Sequence, residues 1–428
     1  MMSDFHYEQV KDPRYFAEGR MDAHSDHICY ASREEAAANK TSLRYSLDGV
    51  WKFHYARNQA QTIPGFEQPE YDCRPWADIR VPAHIQMEGY DIPQYANTQY
   101  PWDGREQIWT DEIPSEFNPT ASYVKYFTLP EEFDGRPVYI SFQGAESGIA
   151  VWLNGRFVGY SEDSFTPADF ELTPYLKEGE NKLAACVFKW TSGSWCEDQD
   201  FYRFSGIYRS VFLYTVPKTH VWDLKTEPIV AEDLIHADLK LTLQTQGAGS
   251  VHVKVSGWEQ VLVDAAVTLS GHTKEQEAVF LVEQPKLWSA EQPCLYDMTL
   301  EVYDEAGNLA EVIPQKVGFR RFEMKDGLML LNGKRIVFKG VNRHEFSSRT
   351  GRAVSDEEIL TDILTMKRNN INAIRTCHYP DDSRIYHLCD VYGLYLIAEN
   401  NLESHGTWDA VSRGLDAPEM AVTENHGK

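Results

Sequence analysis

The chain has 428 residues, 65 acidic and 41 basic, with a formal net charge of −24. That length holds roughly two to four domains of 100 to 200 residues and excludes a single small module. Charged residues at 25% and apolar residues at 42% exclude a disordered chain, and the negative field disfavours nucleic acid and anionic lipid as partners.

Residues 1–41 read as an amino-terminal extension without an apolar run of signal-peptide length. Over 42–217, short strands alternate with turns: SLDGVWKF, RPVYISFQG, GIAVWLNGRFVGYS, NKLAACVFKW and YRSVFLYTV. Alternation of apolar and polar residues, as at Val138, Ile140 and Phe142, predicts antiparallel sheets with one covered face and hence a β-sandwich. Asn154-Gly155 predicts a type I′ hairpin turn, because both residues tolerate positive φ. Over 218–321 the pattern restarts with DLKLTLQT, SVHVKVSG and YDMTLEVYDEAGNL, read as separate strands between Gly and Ser turns. Some seven short strands in about a hundred residues predict an immunoglobulin-like sandwich.

The region 322–428 changes character. RIVFKGV (335–341) reads as a strand of a parallel sheet covered on both faces. In SDEEILTDILTMKRNN, Ser355 and Glu358 form a capping box, and Ile359, Leu360, Ile363, Leu364 and Met366 give a helical apolar face. INAIRT, DDSRIYHLCDVY and GLYLIAE continue a strand–helix alternation, which predicts an α/β domain. A complete (β/α)₈ barrel needs ~250 residues, so this is either a small α/β domain or part of a larger one.

The seven cysteines (Cys29, Cys73, Cys186, Cys196, Cys294, Cys377 and Cys389) contain no CxxC pair and are odd in number. Reduced thiols are expected, with neither a zinc cage nor a disulfide framework. No stretch approaches the ~20 apolar residues of a membrane span, so a cytoplasmic protein without membrane contact is expected. Aromatic residues at 13% fit either wide sheet cores or sugar-stacking surfaces.

Polar residues gather past the ends of the three expected parallel strands: Asn342, Arg343, His344 and Glu345; then Arg375 and His378; then Glu399, Asn400, Glu403 and His405. Barrels carry their sites at this carboxyl end. The i, i+2 spacing of Glu403 and His405 places both on one side of an extended segment, where they can share a cation. Mg²⁺ would favour the oxygen of Glu403, and Mn²⁺ or Zn²⁺ would suit His405 better. CEDQDFYRFSG (196–206) reads either as a solvated acidic loop or as a ligand- or cation-binding one. P-loop, GxGxxG and GxSxG motifs are absent, so nucleotide chemistry and serine hydrolysis lose support.

Taken together and in order, SLDGVWKF, VPAHIQMEGYDIPQYANTQYPW, WLNGRFVGYSEDSFTPADFEL, EDQDFYRFSGIYR, LWSAEQPCLYDMTL, VGFRRFEM, LLNGKRIVFKGVNRHEF, INAIRTCHYP and NLESHG resemble the amino-terminal part of a glycoside hydrolase family 2 β-galactosidase, from about Ser42 to Gly414. The resemblance implies a jelly-roll sandwich over 42–217, an immunoglobulin-like sandwich over 218–321 and the first part of a TIM barrel over 322–428. It implies that Asn97 and Asp200 reach into a galactose pocket, with Asp200 also binding Na⁺. It implies that His344 and His378 bind galactose, that Arg375 lies beneath the nucleophile, and that Glu403 and His405 are Mg²⁺ ligands. The implied reaction is retaining hydrolysis of terminal β-D-galactose from substrates such as lactose. AENN replaces the DEAN of the best-known members, a small departure. The GNES-like segment with the acid/base and the later nucleophilic glutamate are not in this sequence. The resemblance places both beyond Lys428, so no catalytic carboxylate is expected in this chain and the chain alone is expected to be inactive. The expected partners are β-galactosides and a complementing chain or further copies of itself. The alternative is a carbohydrate-binding or assembly subunit.

Overall fold

The computed structural model describes residues 4–404 other than 107, 109–111, 134, 199 and 272–274. The first unit is a sandwich of two antiparallel sheets. One has seven strands in the order Ala17–Glu18, Arg156–Glu162, Gly148–Leu153, Glu180–Phe188, Thr120–Thr128, Gly49–Ala56 and Ala77–Val81. The other has four, in the order Ala168–Glu171, Val138–Phe142, Val211–Thr215 and Arg44–Ser46. Alternation places Trp51, Phe53, Tyr123, Ile140, Phe142, Val151 and Leu213 in the core between the sheets. In the expected hairpin, Leu153 lies opposite Arg156, and Asn154 and Gly155 take φ of 53° and 81°. A Cβ on Gly155 would lie 2.7 Å from Pro69 Cδ, so packing as well as φ favours glycine there. Many aromatic side chains go to cores: Tyr160, Phe157 and Phe188 with partly buried Phe5, Tyr15 and Trp152 on the outer face of the larger sheet, and Tyr100, Trp102, Trp190 and Trp195 in a separate cluster.

The second unit corrects the strand count expected from its Gly and Ser turns. DLKLTLQT and SVHVKVSG are one 22-residue strand, His236–Gly257. Its first half pairs with His220–Val230 and Gln276–Glu283, and its second half with Gln260–Gly271 and Tyr296–Asp304. One strand therefore serves both sheets. The turn read at QGAGS is a bend through Gly247 (φ 77°) and Gly249 (φ 152°), and a Cβ on Gly249 would sit 1.9 Å from the Tyr303 carbonyl oxygen. Glycine permits the close approach that keeps the ladder continuous.

The amino-terminal segment straps these units together. Ala17 and Glu18 pair with Ser161 and Tyr160 of the first sandwich. Further on, the Ser25 amide donates to Asp223 Oδ1 at 2.8 Å and Tyr30 bridges to Val312 in the second. A short helix, Arg33–Ala38, capped by Ser32, precedes the return to the first sandwich at Arg44–Ser46.

The third unit is a parallel sheet in the order Gly340–Arg343, Ala373–Thr376 and Tyr395–Ile397, with helices Asp356–Arg368 and Arg384–Tyr392. The Ser355–Glu358 capping box forms, and Ile359, Ile363 and Met366 face the core. RIVFKGV departs from the expected strand. Lys334–Arg335 closes an antiparallel ribbon with Leu330 and Leu331, the parallel strand starts only at Gly340, and Val337 and Phe338 are exposed rather than covered on both faces. Trp288 Nε1 donates to the Asp390 carbonyl at 2.9 Å, and Lys367 Nζ donates to the Ala290 carbonyl at 2.8 Å, docking this unit on the second sandwich.

Candidate active site

The parallel register sets Asn342 beside Arg375 and Arg375 beside Ile397, so the polar residues that follow each strand converge. Arg375 grips Glu399 with two donors: Nη2 reaches Oε2 at 2.9 Å, and Nε donates to Oε1. This is a bidentate, charge-assisted pair. A third contact brings Nη2 within 3.3 Å of His378 Nδ1. With Nδ1 accepting, the proton of a neutral His378 sits on Nε2. The His344 ring stands edge-on to His378, with centroids 5.4 Å apart. Desolvation first, and the His378 ring next, hold the His344 pKa below its ordinary value, so it is a neutral hydrogen-bonding group at pH 7.

Two residues of the strand-end motif turn inward as braces. Buried Glu345 accepts from Arg209 Nη2 at 2.8 Å and from the Asp382 amide at 2.9 Å. Arg343 Nη1 donates to buried Asp381 Oδ2 at 2.7 Å. Burial, and then Glu345, push the Asp381 pKa up to about 7.

The first sandwich supplies a second group. Strands Gln94–Ala96 and Phe201–Arg203 pair antiparallel with Ala96 opposite Phe201, so Asn97 and Asp200 follow as neighbours one step beyond the ladder. The Tyr95 hydroxyl donates to Asp200 Oδ1. Tyr202 stacks on Phe346, 5.4 Å between centroids, carrying this edge to the His344 loop, and the Asp200 charge acts on His344.

Glu403 forms a third group. Its amide donates to the Cys196 carbonyl at 2.8 Å, and Glu403–Ser404 runs parallel to Glu197–Asp198. The strand Glu197–Asp198 therefore lies at an interdomain seam rather than in a solvated loop. Glu197 accepts from the Ser164 amide at 3.0 Å and from Asn401 Nδ2 at 2.6 Å. Burial, then the Asp163 charge, push its pKa up to about 8. His405, the second expected Mg²⁺ ligand, and the rest of the chain to Lys428, the point beyond which the catalytic glutamates are expected, lie outside the described residues.

The structure thus brings His344, His378 and Arg375 together, sets Asn97 and Asp200 as a pair on the facing edge, and ties Glu403 to the segment that leads to Asp200. Sequence reasoning missed Tyr95, named Glu399 among the strand-end polar residues without giving it a role, and read Glu197 only as part of the acidic CEDQDFYRFSG loop. Glu399 had a signal, its place at the third strand end, whereas the roles of Tyr95 and Glu197 depend on pairings between distant segments.

Comparison with known proteins agrees with this architecture. Residues 44–217 match the sugar-binding domain of glycosyl hydrolases family 2, residues 219–320 match a second domain of that family, and residues 322–426 match its TIM barrel domain. The chain belongs to glycosyl hydrolase family 2. Its relatives include a beta-galactosidase of Halalkalibacterium halodurans, 51% identical over 97% of this chain and 41% of that protein. Another is a beta-galactosidase large subunit of Latilactobacillus sakei, 42% identical over 92% of this chain and 65% of that protein. Among solved structures, a beta-glucuronidase of Bifidobacterium dentium shares the fold with a TM-score of 0.69 at 22% identity, covering 85% of this chain and 62% of that one. The chain spans about two-fifths of the length of the first of these relatives.

Proposed function

We propose that this chain is the amino-terminal portion of a β-galactosidase that hydrolyses terminal non-reducing β-D-galactose from lactose-like substrates with retention. The observation that carries this reading is the convergence of His344, His378 and the Arg375–Glu399 pair with Asn97 and Asp200 on the facing edge. Imidazoles, an amide and a carboxylate suit an uncharged polyol, whose hydroxyls both donate and accept. In this role Asn97, Asp200, His344 and His378 bind the sugar and Arg375 supports the nucleophile.

Retention needs two carboxyl groups ~5 Å apart, one acting as acid and one as nucleophile. Glu399 is gripped by two donors of Arg375, which pins its carboxylate against that arginine rather than leaving it free to meet a glycosidic oxygen. The acid/base and nucleophile accordingly belong to a segment downstream of Lys428, supplied in cis or by a complementing chain, and homo-oligomers fit the same reading. Glu403 offers the hard oxygen that Mg²⁺ prefers, with His405 beside it in sequence, and Asp200 offers one to Na⁺. No helix among the described residues is long and apolar enough to cross a membrane, and a cytoplasmic location is part of the proposal.

A second reading, an assembly or carbohydrate-binding subunit, is favoured by exposed Val337, Phe338, Ile397 and Leu402 around the parallel sheet, which present apolar surface to a partner. A chromogenic β-galactoside separates the two. The isolated chain is expected to show no turnover, and adding the downstream segment in cis or in trans to restore it. Turnover above ~1 s⁻¹ by the chain alone would overturn the assignment of the catalytic carboxylates. No restoration with the downstream segment would favour the subunit reading.

A further inference from the structure

The amino-terminal strap crosses the second sandwich at a group of side chains that the proposed hydrolysis does not use. We propose that Cys29, His220 and Glu311 form a site for one divalent cation of the zinc class, which pins the strap to the second sandwich. The Cys29 thiol, a His220 ring nitrogen and a Glu311 carboxylate oxygen all lie within 4.8 Å of one another. His220 Nδ1 is 2.8 Å from Glu311 Oε2. Zinc bonds of about 2.3 Å to sulfur and 2.0–2.2 Å to nitrogen and oxygen put tetrahedral ligands about 3.3–3.7 Å apart, so closing the site needs shifts of about an ångström.

The surroundings prepare the ligands. His220 and Glu311 sit on sheet strands and are buried at 3% and 0% exposure. The Val221 amide donates to Glu311 Oε1 at 2.9 Å, which fixes the carboxylate and leaves Oε2 toward His220. Cys29 is half-buried, and a three-ligand protein site of this kind takes a water as its fourth ligand. His27, whose ring lies 6.4 Å from His220, turns Nε2 to the Val221 carbonyl at 3.0 Å. Burial, and then the Glu311 carboxylate, keep the metal-free Cys29 thiol protonated, while Arg44 is the cation whose field favours the thiolate.

Charge and donor type select the ion. A thiolate and a carboxylate balance one 2+ ion with a neutral imidazole, replacing an arrangement in which a fully buried carboxylate is held by His220, the Val221 amide and the Cys29 thiol. Thiolate, imidazole and carboxylate together favour zinc over Mg²⁺ or Ca²⁺. Ligands at positions 29, 220 and 311 have no motif spacing, which is why no zinc signal is legible along the chain. His344, Cys377 and His378 form a comparable group, but they lie in the candidate active site and serve as the control.

The test uses the full chain and Zn²⁺ alone, titrated against a chromophoric chelator, with bound metal counted after desalting. One equivalent is expected. Cys29→Ser and Glu311→Gln should each weaken it at least tenfold, and Cys377→Ser and His378→Ala should leave it unchanged. Co²⁺ should give a thiolate charge-transfer band that the Cys29→Ser chain lacks. In the unmutated chain, Zn²⁺ should slow alkylation of Cys29 at least tenfold while leaving Cys294 unaffected, a result that does not depend on any variant folding. Absence of binding, binding that follows Cys377 and His378 instead, or Cys29 alkylation indifferent to Zn²⁺ would each overturn the proposal.

Discussion

Arg352 lies between the barrel segment and the first sandwich with 1% of its surface exposed. Five rings wall it in: Phe165, Phe201, Phe204, Tyr208 and Tyr379, with centroids 4.8–6.0 Å from the guanidinium carbon. Its counter-ion is Glu146, and Nη1 donates to the Tyr202 carbonyl at 2.8 Å. Cation–π attraction and a buried ion pair therefore position the loop after His344 against the edge that carries Asp200. Arg352→Met strands the Glu146 carboxylate and should cost about 3–5 kcal/mol in urea unfolding, while adding Glu146→Gln should recover part of the loss. Glu162 is a different case, a buried acid held by neutral donors: Tyr160 donates to it at 2.7 Å and the Gly193 amide at 2.7 Å. Burial pushes its pKa from 4.5 up to about 7. The folded state then holds a proton on Glu162 that the unfolded chain releases, so the contribution of this group to stability falls as pH rises from about 4.5 to 7 and is constant above. Glu162→Gln removes this loss, and its stability relative to the parent should improve by about 3 kcal/mol between pH 4 and pH 8 in chemical denaturation. Neither role is legible in sequence, since the partners of Arg352 and the burial of Glu162 arise only when distant segments pack around them.

At the scale of elements, legibility followed the range of the interaction. The Asn154-Gly155 hairpin and the Ser355–Glu358 box depend on neighbours within four residues, and both form as read. The long strand His236–Gly257 could not be read that way, because a Gly-Ala-Gly step is normally a turn and becomes a bend only when two sheets share the strand. Gly249→Ala tests this directly. The new Cβ meets the backbone of Tyr303, which cannot rotate away, so the change should cost more than about 2 kcal/mol in thermal or urea unfolding. At Gly271, by contrast, a Cβ would find its nearest neighbour 3.5 Å away and meet only its own φ penalty at 95°, so Gly271→Ala should cost about 1 kcal/mol. RIVFKGV shows the opposite failure: an apolar run invited one strand, while cross-strand partners divided it between an antiparallel ribbon and a parallel sheet.

For the whole molecule, the order of motifs made the architecture readable, and the site residues came from that order more than from chemistry visible in isolation. What remained hidden was the junctions: Arg209 with Glu345, Glu197 with Asn401 and Trp288 with Asp390 join residues 102 to 204 positions apart. The strap has a consequence for how the chain melts. Residues 17–41 hydrogen-bond to the first sandwich, cross to the second and return, so neither sandwich can lose its fold without detaching a segment that the other also holds. Heat should therefore dissolve both in one cooperative endotherm. Tyr30→Ala with Arg33→Ala, which removes the buried Tyr30 ring and the Arg33–Glu301 pair that hold the strap to the second sandwich, should split that calorimetric peak in two, making an amino-terminal segment of some 25 residues the element that turns two independent melting units into one.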